Sequence, residues 1–175
     1  MRTNTRGLLV AAIRGGALVR FSGVYEVAVF FHILGGFIWV GGLLYVQSMW
    51  HRMILSDKDD SARGIYEAIN WSANRVIVPA ALVVLVAGVT MVATSAAWGF
   101  GQLWVILALV LFAVSAFGFG TWTDRLVADA LELLSDEGVS GSRYRAAAQK
   151  LIRVARIDVF VMLSILALMV FKPGL

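Results

Sequence analysis

The sequence predicts an all-α protein, a four-helix transmembrane bundle, and two observations carry that reading. Hydrophobic residues make up 60% of the 175 positions and charged residues only 15%, against roughly 45–50% and about 25% in soluble domains. The apolar residues are also gathered into four stretches, each near the roughly 20 residues a helix needs to cross the hydrocarbon core, with most of the charges between them. Mean hydropathy is accordingly high, at +0.83. A chain of this length holds four spans and modest connectors, without room for a separate soluble enzyme domain. The absence of cysteine excludes disulfides, thiolate metal ligands and cysteine nucleophiles.

Taken in order, residues 1–23 read as a surface segment. Arg14 and Arg20 interrupt the apolar run from Gly7 to Val19, which denies it the h-region of a cleavable signal peptide and suits a loosely amphipathic stretch at the membrane interface. Residues 24–175 form the membrane domain, with spans at 24–48, 76–97, 102–122 and 152–171. The fourth reaches full length only with Ile152 and Val154 included and Arg153 and Arg156 at the headgroups. Pro79 and Pro173 lie near span ends, where a missing backbone donor costs little. Trp98 and Trp104 flank the tight turn Ala97-Trp98-Gly99-Phe100-Gly101, and Trp50, Trp71 and Trp122 fall near other ends, the pattern of interfacial aromatic belts.

The long connectors read as helical continuations. Asp124 to Leu134 keeps helix-forming residues, Asp136 to Ser142 breaks the pattern, and Arg143 restarts it, which predicts a helical hairpin projecting past the membrane. Asp57-Lys58-Asp59-Asp60 reads as a solvated turn and lacks calcium-loop spacing. Basic residues set the orientation. Segments 49–75 and 123–156 hold ten of the fifteen, whereas the other side holds Arg2, Arg6, Arg14, Arg20 and Lys172. That excess puts both long loops in the cytoplasm and both termini outside, in what reads as a bacterial plasma membrane. The net charge of +4 is then an orientation signal, and no nucleic-acid partner is implied. The partners are the lipid bilayer and either further copies of the chain or other membrane subunits.

One histidine, His32, lies inside the first span, and an ionisable side chain at such depth is a functional candidate by default. At helical spacing Tyr25, Ala28, His32, Gly35, Gly36, Trp39, Leu43, Val46 and Trp50 form one stripe. It joins an imidazole to aromatics and to small residues that let a helix or a flat ligand approach the backbone. Three readings stand: a packing seam with a neutral His32, a haem or metal ligand, or a proton relay or quinone contact. For haem b the cofactor-binding residues are His32, Met91, Trp39 and Gly36, with His32 as the metal ligand. His32 lies roughly 12 Å inside its span. Met91 falls near the same level on the second span, whereas Met162 is deeper and Met169 shallower; Met/His ligation is an established haem pattern. His51 is nineteen residues further along the helix path, about 28 Å away, so the two histidines of one chain cannot share a metal. Two chains each contributing His32, or a five-coordinate iron on His32 alone, are further arrangements.

The remaining polar residues have plainer readings. Asp158 starts the fourth span near the depth of Arg75 and Arg125, which suggests an interfacial ion pair, with proton uptake as the other role. Thr90, Thr94, Ser115 and Ser164 can return hydrogen bonds to their own helices, and Gly118 and Gly120 suggest a close helix crossing. No nucleotide loop, zinc-protease motif, nucleophile elbow or internal repeat is present.

His32, seven residues to Trp39, then Gly41-Gly42 resembles the first span of three bacterial families: the copper resistance protein D family, a related family of predicted integral membrane proteins of unknown function, and the membrane protoporphyrinogen oxidases. Pro79-Ala80-Ala81-Leu82 with Gly88, and Met169-Val170-Phe171-Lys172-Pro173-Gly174, are similar too. The oxidase resemblance implies haem among four helices with His32 as ligand. This chain departs from that family in its third span, where 102–122 contains neither histidine nor any charge. The copper-family resemblance implies copper handling, with His32 and methionines such as Met91 as soft ligands, although the methionines are scattered. The family of unknown function fits best. Three classes follow: a membrane protein with a haem or metal site on His32, serving redox or metal handling; an accessory or structural subunit without a cofactor; and a redox enzyme acting on a hydrophobic substrate.

Overall fold

The computed structural model describes residues 23–174, so the surface segment expected over 1–23 lies, apart from Gly23, outside the described residues. Four helices make up the fold: α1 (Gly23–Ile54), α2 (Asp59–Thr94), α3 (Leu103–Glu137) and α4 (Ser142–Phe171), each long and apolar enough to cross a membrane. All four outrun the predicted spans toward one end of the bundle, where the two helical hairpins close through short turns around 55–58 and 138–141. We call this the hairpin end; the opposite end carries the start of α1, the 95–102 turn and the end of α4.

Local signals account for where these helices start and stop. Glu26 lies in the first turn of α1 and Arg52 in its last, and Asp59 and Asp60 open α2, each charge matching the sign the helix dipole favours. α3 ends at Gly138, whose φ of 69° suits a residue without a Cβ. Here the turn 57–60 differs from the solvated one expected. Asp59 Oδ1 accepts the backbone N–H of Val139 at 2.7 Å, so a carboxylate of the α1–α2 turn satisfies an orphan donor of the α3–α4 turn, 80 residues away in sequence. An Arg143–Glu137 ion pair closes the same turn.

Two cores are stacked along the bundle. The outer one, within the spans, gathers Trp39, Ile77, Val84, Phe112, Met162 and Ile165. The other, at the hairpin end, gathers Trp50, Met53, Tyr66, Leu134, Tyr144 and Leu151, which are the largest fully buried side chains apart from Met162. That division has a physical basis. Lipid tails are as apolar as leucine and give helices no hydrophobic reason to associate, whereas helix extensions outside the hydrocarbon bury apolar surface from water. Trp50 therefore is not a belt residue: at 1% exposed it packs edge-on against Tyr66, with ring centroids 5.2 Å apart. Trp71 and Trp122 remain exposed. Large apolar side chains such as Phe37, Phe117, Phe160 and Val170 cover the outside of the spans, where they meet lipid.

Within the membrane, close approach falls to small residues. A Cβ on Gly35 would come within 3.2 Å of the Ala80 carbonyl, and one on Gly42 within 2.7 Å of the Ile77 side chain, so α1 lies against α2 at these glycines. Gly118 and Gly120 do not mark a crossing: an added Cβ meets only Val114 of the same helix at 3.9 Å in the first case and nothing in the second. Gly118 instead lies in a π-helical turn, Val114–Phe119, matched in α2 by a second one at Ala73–Ile77. Such turns insert a residue into the helical ladder and re-aim the side chains around them.

Candidate functional site

The first π-turn changes the reading of Asp158. Ser115, within it, is 4% exposed and donates its hydroxyl across the bundle to Asp158 Oδ1 at 2.6 Å, while Thr90, Thr94 and Ser164 bond back to their own helices. The ion pair expected for Asp158 is absent; among the described residues Arg143–Glu137 is the salt bridge found. A serine hydroxyl gives the carboxyl one hydrogen bond without a counter-charge, which suits a site where a paired cation would also need desolvating. Trp39, Phe112 and Met162 form an apolar layer beyond it.

On the far side of that layer a cavity of about 230 Å³ opens between all four helices. Along α1 its lining runs from Tyr25 through His32 to Trp39, about 21 Å of helix axis. Trp39 is 6% exposed and leans on Phe112 with ring centroids 5.2 Å apart, closing the inner end. At the opposite end Lys172, Trp98 and Trp104 join the lining. The 95–102 turn positions these indoles: Ser95 Oγ accepts the backbone N–H of Trp98 at 3.2 Å, and Gln102 Oε1 accepts the Trp104 indole N–H at 3.2 Å. The two rings meet edge-on at 5.7 Å.

His32 is the polar centre of the cavity wall. Its Nδ1 lies 2.9 Å from the Val84 carbonyl oxygen, an acceptor, so Nδ1 carries the proton and donates. The imidazole can reach this carbonyl because of Gly88, one turn further along α2: a Cβ there would come within 3.0 Å of Cε1 and 3.2 Å of Nδ1. In a neutral imidazole with its proton on Nδ1, Nε2 keeps its lone pair, and Nε2 makes no hydrogen bond among the described residues. This is the tautomer that a metal-ligating histidine adopts when a backbone carbonyl orients its ring.

The residues expected at the site are thus partly brought together. His32, Trp39 and Met91 line the one cavity, and Met169 of α4 joins them. Gly36 does not: it lies outside the lining, and a Cβ on it would meet nothing within 4 Å. The glycine that makes room for the imidazole is Gly88. Met162, 1% exposed, is in the core, and His51 is exposed near the hairpin end of α1. Sequence reasoning passed over Val84, whose contribution is a backbone atom, and gave Lys172 no place in the site.

A family model covers residues 26–173, which takes in all four helices but for the first residues of α1, and the whole cavity lining but for Tyr25. The chain belongs to the predicted integral membrane protein family DUF2269. No curated protein and no solved structure matches it. The resemblance to an integral membrane family of unknown function therefore has support, and nothing found links this DUF2269 protein to copper resistance protein D or to protoporphyrinogen oxidase. Among its described residues no three His, Cys, Asp or Glu side chains gather into a metal-binding group. Any metal in the cavity would draw on His32, on thioethers, or on donors that it brings with it.

Proposed function

We propose that this DUF2269 protein is a haem-binding membrane subunit, with haem b held in the cavity on His32. One observation carries the reading: the Nδ1–H of His32 is committed to the Val84 carbonyl at 2.9 Å, which leaves Nε2 as a lone-pair donor in an apolar, aromatic-walled space. The donor chemistry suits haem better than a bare cation. A porphyrin supplies its own in-plane nitrogens, so the protein need add only axial ligands, and a site without a carboxylate cluster meets that demand. His32 and Met91 would hold the iron, and Trp39 would form the inner wall. Haem in this setting would supply one-electron transfer, and the apolar shell would control solvent access and hence potential.

The hairpin end is taken as cytoplasmic, because it carries ten of the fifteen basic residues, and the membrane as the bacterial plasma membrane. Electron transfer requires a redox partner, either a second copy or another membrane subunit. Copper(I) is the second reading, favoured by His32, Met91 and Met169 lining one cavity, an imidazole and two thioethers being a soft donor set. The test is a reduced-minus-oxidised visible spectrum of the detergent-purified protein with metal analysis. A Soret band with stoichiometric iron, lost in His32→Ala and kept in His51→Ala, is expected. Stoichiometric copper without a Soret band selects the second reading, and a blank spectrum without either metal leaves an accessory subunit.

A further inference from the structure

The polarity of the cavity is uneven, and the unevenness describes a ligand. Among the described residues its lining carries one cation, Lys172, and no carboxylate. Lys172 follows the last residue of α4 in a left-handed conformation, with φ 43° and ψ 59°, its N–H donating to the Leu168 carbonyl at 2.9 Å. Few residues other than glycine adopt that region. The side chain is half-buried, with Nζ 4.0 Å from the centre of the Trp98 ring and 5.9 Å from that of Trp104. Those ring faces hold the ammonium by cation–π attraction, and among the described residues no carboxylate pairs with it. The acidic residue nearest this end in the described chain is Glu26, in the first turn of α1, and it is not in the lining.

We infer that Lys172 anchors an anionic group on the outer edge of the cavity ligand, so that the ligand is an amphiphile with an apolar body and a carboxylate pointing to the end of the bundle opposite the hairpin end. An anion at this position gains a charge-assisted hydrogen bond at the rim of a low-dielectric site, where such a contact counts for more than in water. The apolar body lies between Trp39 and the paired indoles. Haem meets this description through its propionates, so the inference rests on the haem reading and adds to it the orientation of the ring: propionates toward Lys172, the apolar vinyl-bearing edge toward Trp39.

The experiment compares ferric protoporphyrin IX with its dimethyl ester, which has the same ring and no acidic group, by absorbance titration of the whole protein in a neutral detergent. His32→Ala serves as the background for non-specific partition. Wild type is expected to bind the diacid on the order of tenfold more tightly than the ester, the scale of one hydrogen bond to a charged group. Lys172→Gln should erase the preference and Lys172→Arg retain most of it. Equal wild-type affinities for both would overturn the assignment to Lys172 while leaving the haem reading in place. Binding of neither above background would remove the haem reading, and this inference with it. The titration is repeated in nanodiscs of phosphatidylcholine and of phosphatidylglycerol. A preference seen in the first and absent in the second would assign Lys172 to lipid headgroups and overturn its role as the ligand's anchor.

Discussion

Replacing Gly88 with alanine tests the seat of the imidazole directly, because the substitution adds one methyl group and nothing else. The added Cβ would lie 3.0 Å from His32 Cε1 and 3.2 Å from Nδ1, whereas carbon atoms pack best at roughly 3.5–4.0 Å. Relief requires the ring to retreat by about 0.5–1 Å. Moving straight back, the ring would stretch the 2.9 Å bond from Nδ1 to the Val84 carbonyl to about 3.4–3.9 Å, at or past the limit of a hydrogen bond. Overpacking costs about 1–3 kcal/mol and the lost bond about 0.5–1.5, against a gain of about 1 for alanine over glycine in a helix. The net destabilisation is about 0.5–3.5 kcal/mol. Gly36→Ala is the control: a Cβ there meets nothing within 4 Å, so it should be neutral or stabilising by up to about 1 kcal/mol. Unfolding in detergent gives the stabilities, and nitrogen NMR of labelled histidine reports whether Nδ1 is still protonated and bonded. Should Gly88→Ala match Gly36→Ala in stability and keep the Nδ1–H signal of wild type, His32 does not sit over Gly88 and the site as described is wrong.

Two further outcomes are expected. Ser115→Ala removes the donor 2.6 Å from Asp158 Oδ1 and should cost about 1–3 kcal/mol in the same unfolding assay; the double variant with Asp158→Leu should recover most of that loss, since a buried polar pair is often replaceable by apolar residues. Tyr66 and Tyr144, at the hairpin end, have hydroxyls with no hydrogen-bond partner in the described structure, and burial pushes both phenols above their ordinary ionisation range. The folded protein therefore keeps these protons at a pH where the unfolded chain releases them, so their contribution is intact below about pH 10 and stability falls as pH rises beyond it. Tyr66→Phe should leave stability at neutral pH unchanged or raised and flatten the alkaline decline, seen as melting temperature against pH; an unaltered decline would show that Tyr66 plays no part in it.

The bundle was legible in the sequence because hydropathy and helical period are properties of consecutive residues. The stripe of α1 is the clearest instance: Ala28, Gly35, Trp39 and Trp50 were assigned to one face by spacing, and all are buried. The break at 136–142 likewise separates α3 from α4. Partners across helices were not legible in the same way. Asp158 was expected to find an arginine of similar depth, and it takes the hydroxyl of Ser115 instead, because the π-turn at Val114–Phe119 rotates that side chain inward. Asp59 was read as solvated because its acceptor role depends on a backbone N–H of another hairpin. Trp50 was read as interfacial, since its place near a span end said nothing of the helix extensions that enclose it.

By itself the sequence determined the membrane class, the number of spanning helices, and the place of His32 along the first of them, since each follows from composition and a fixed rise per residue. Only the tertiary structure decided what His32 is bonded to, which of several glycines gives it room, and which thioethers and which cation share its cavity. Those facts depend on the rotation of each helix about its own axis. Hydropathy constrains that rotation weakly when lipid and protein interior are equally apolar, and the packing of small residues against backbone fixes it.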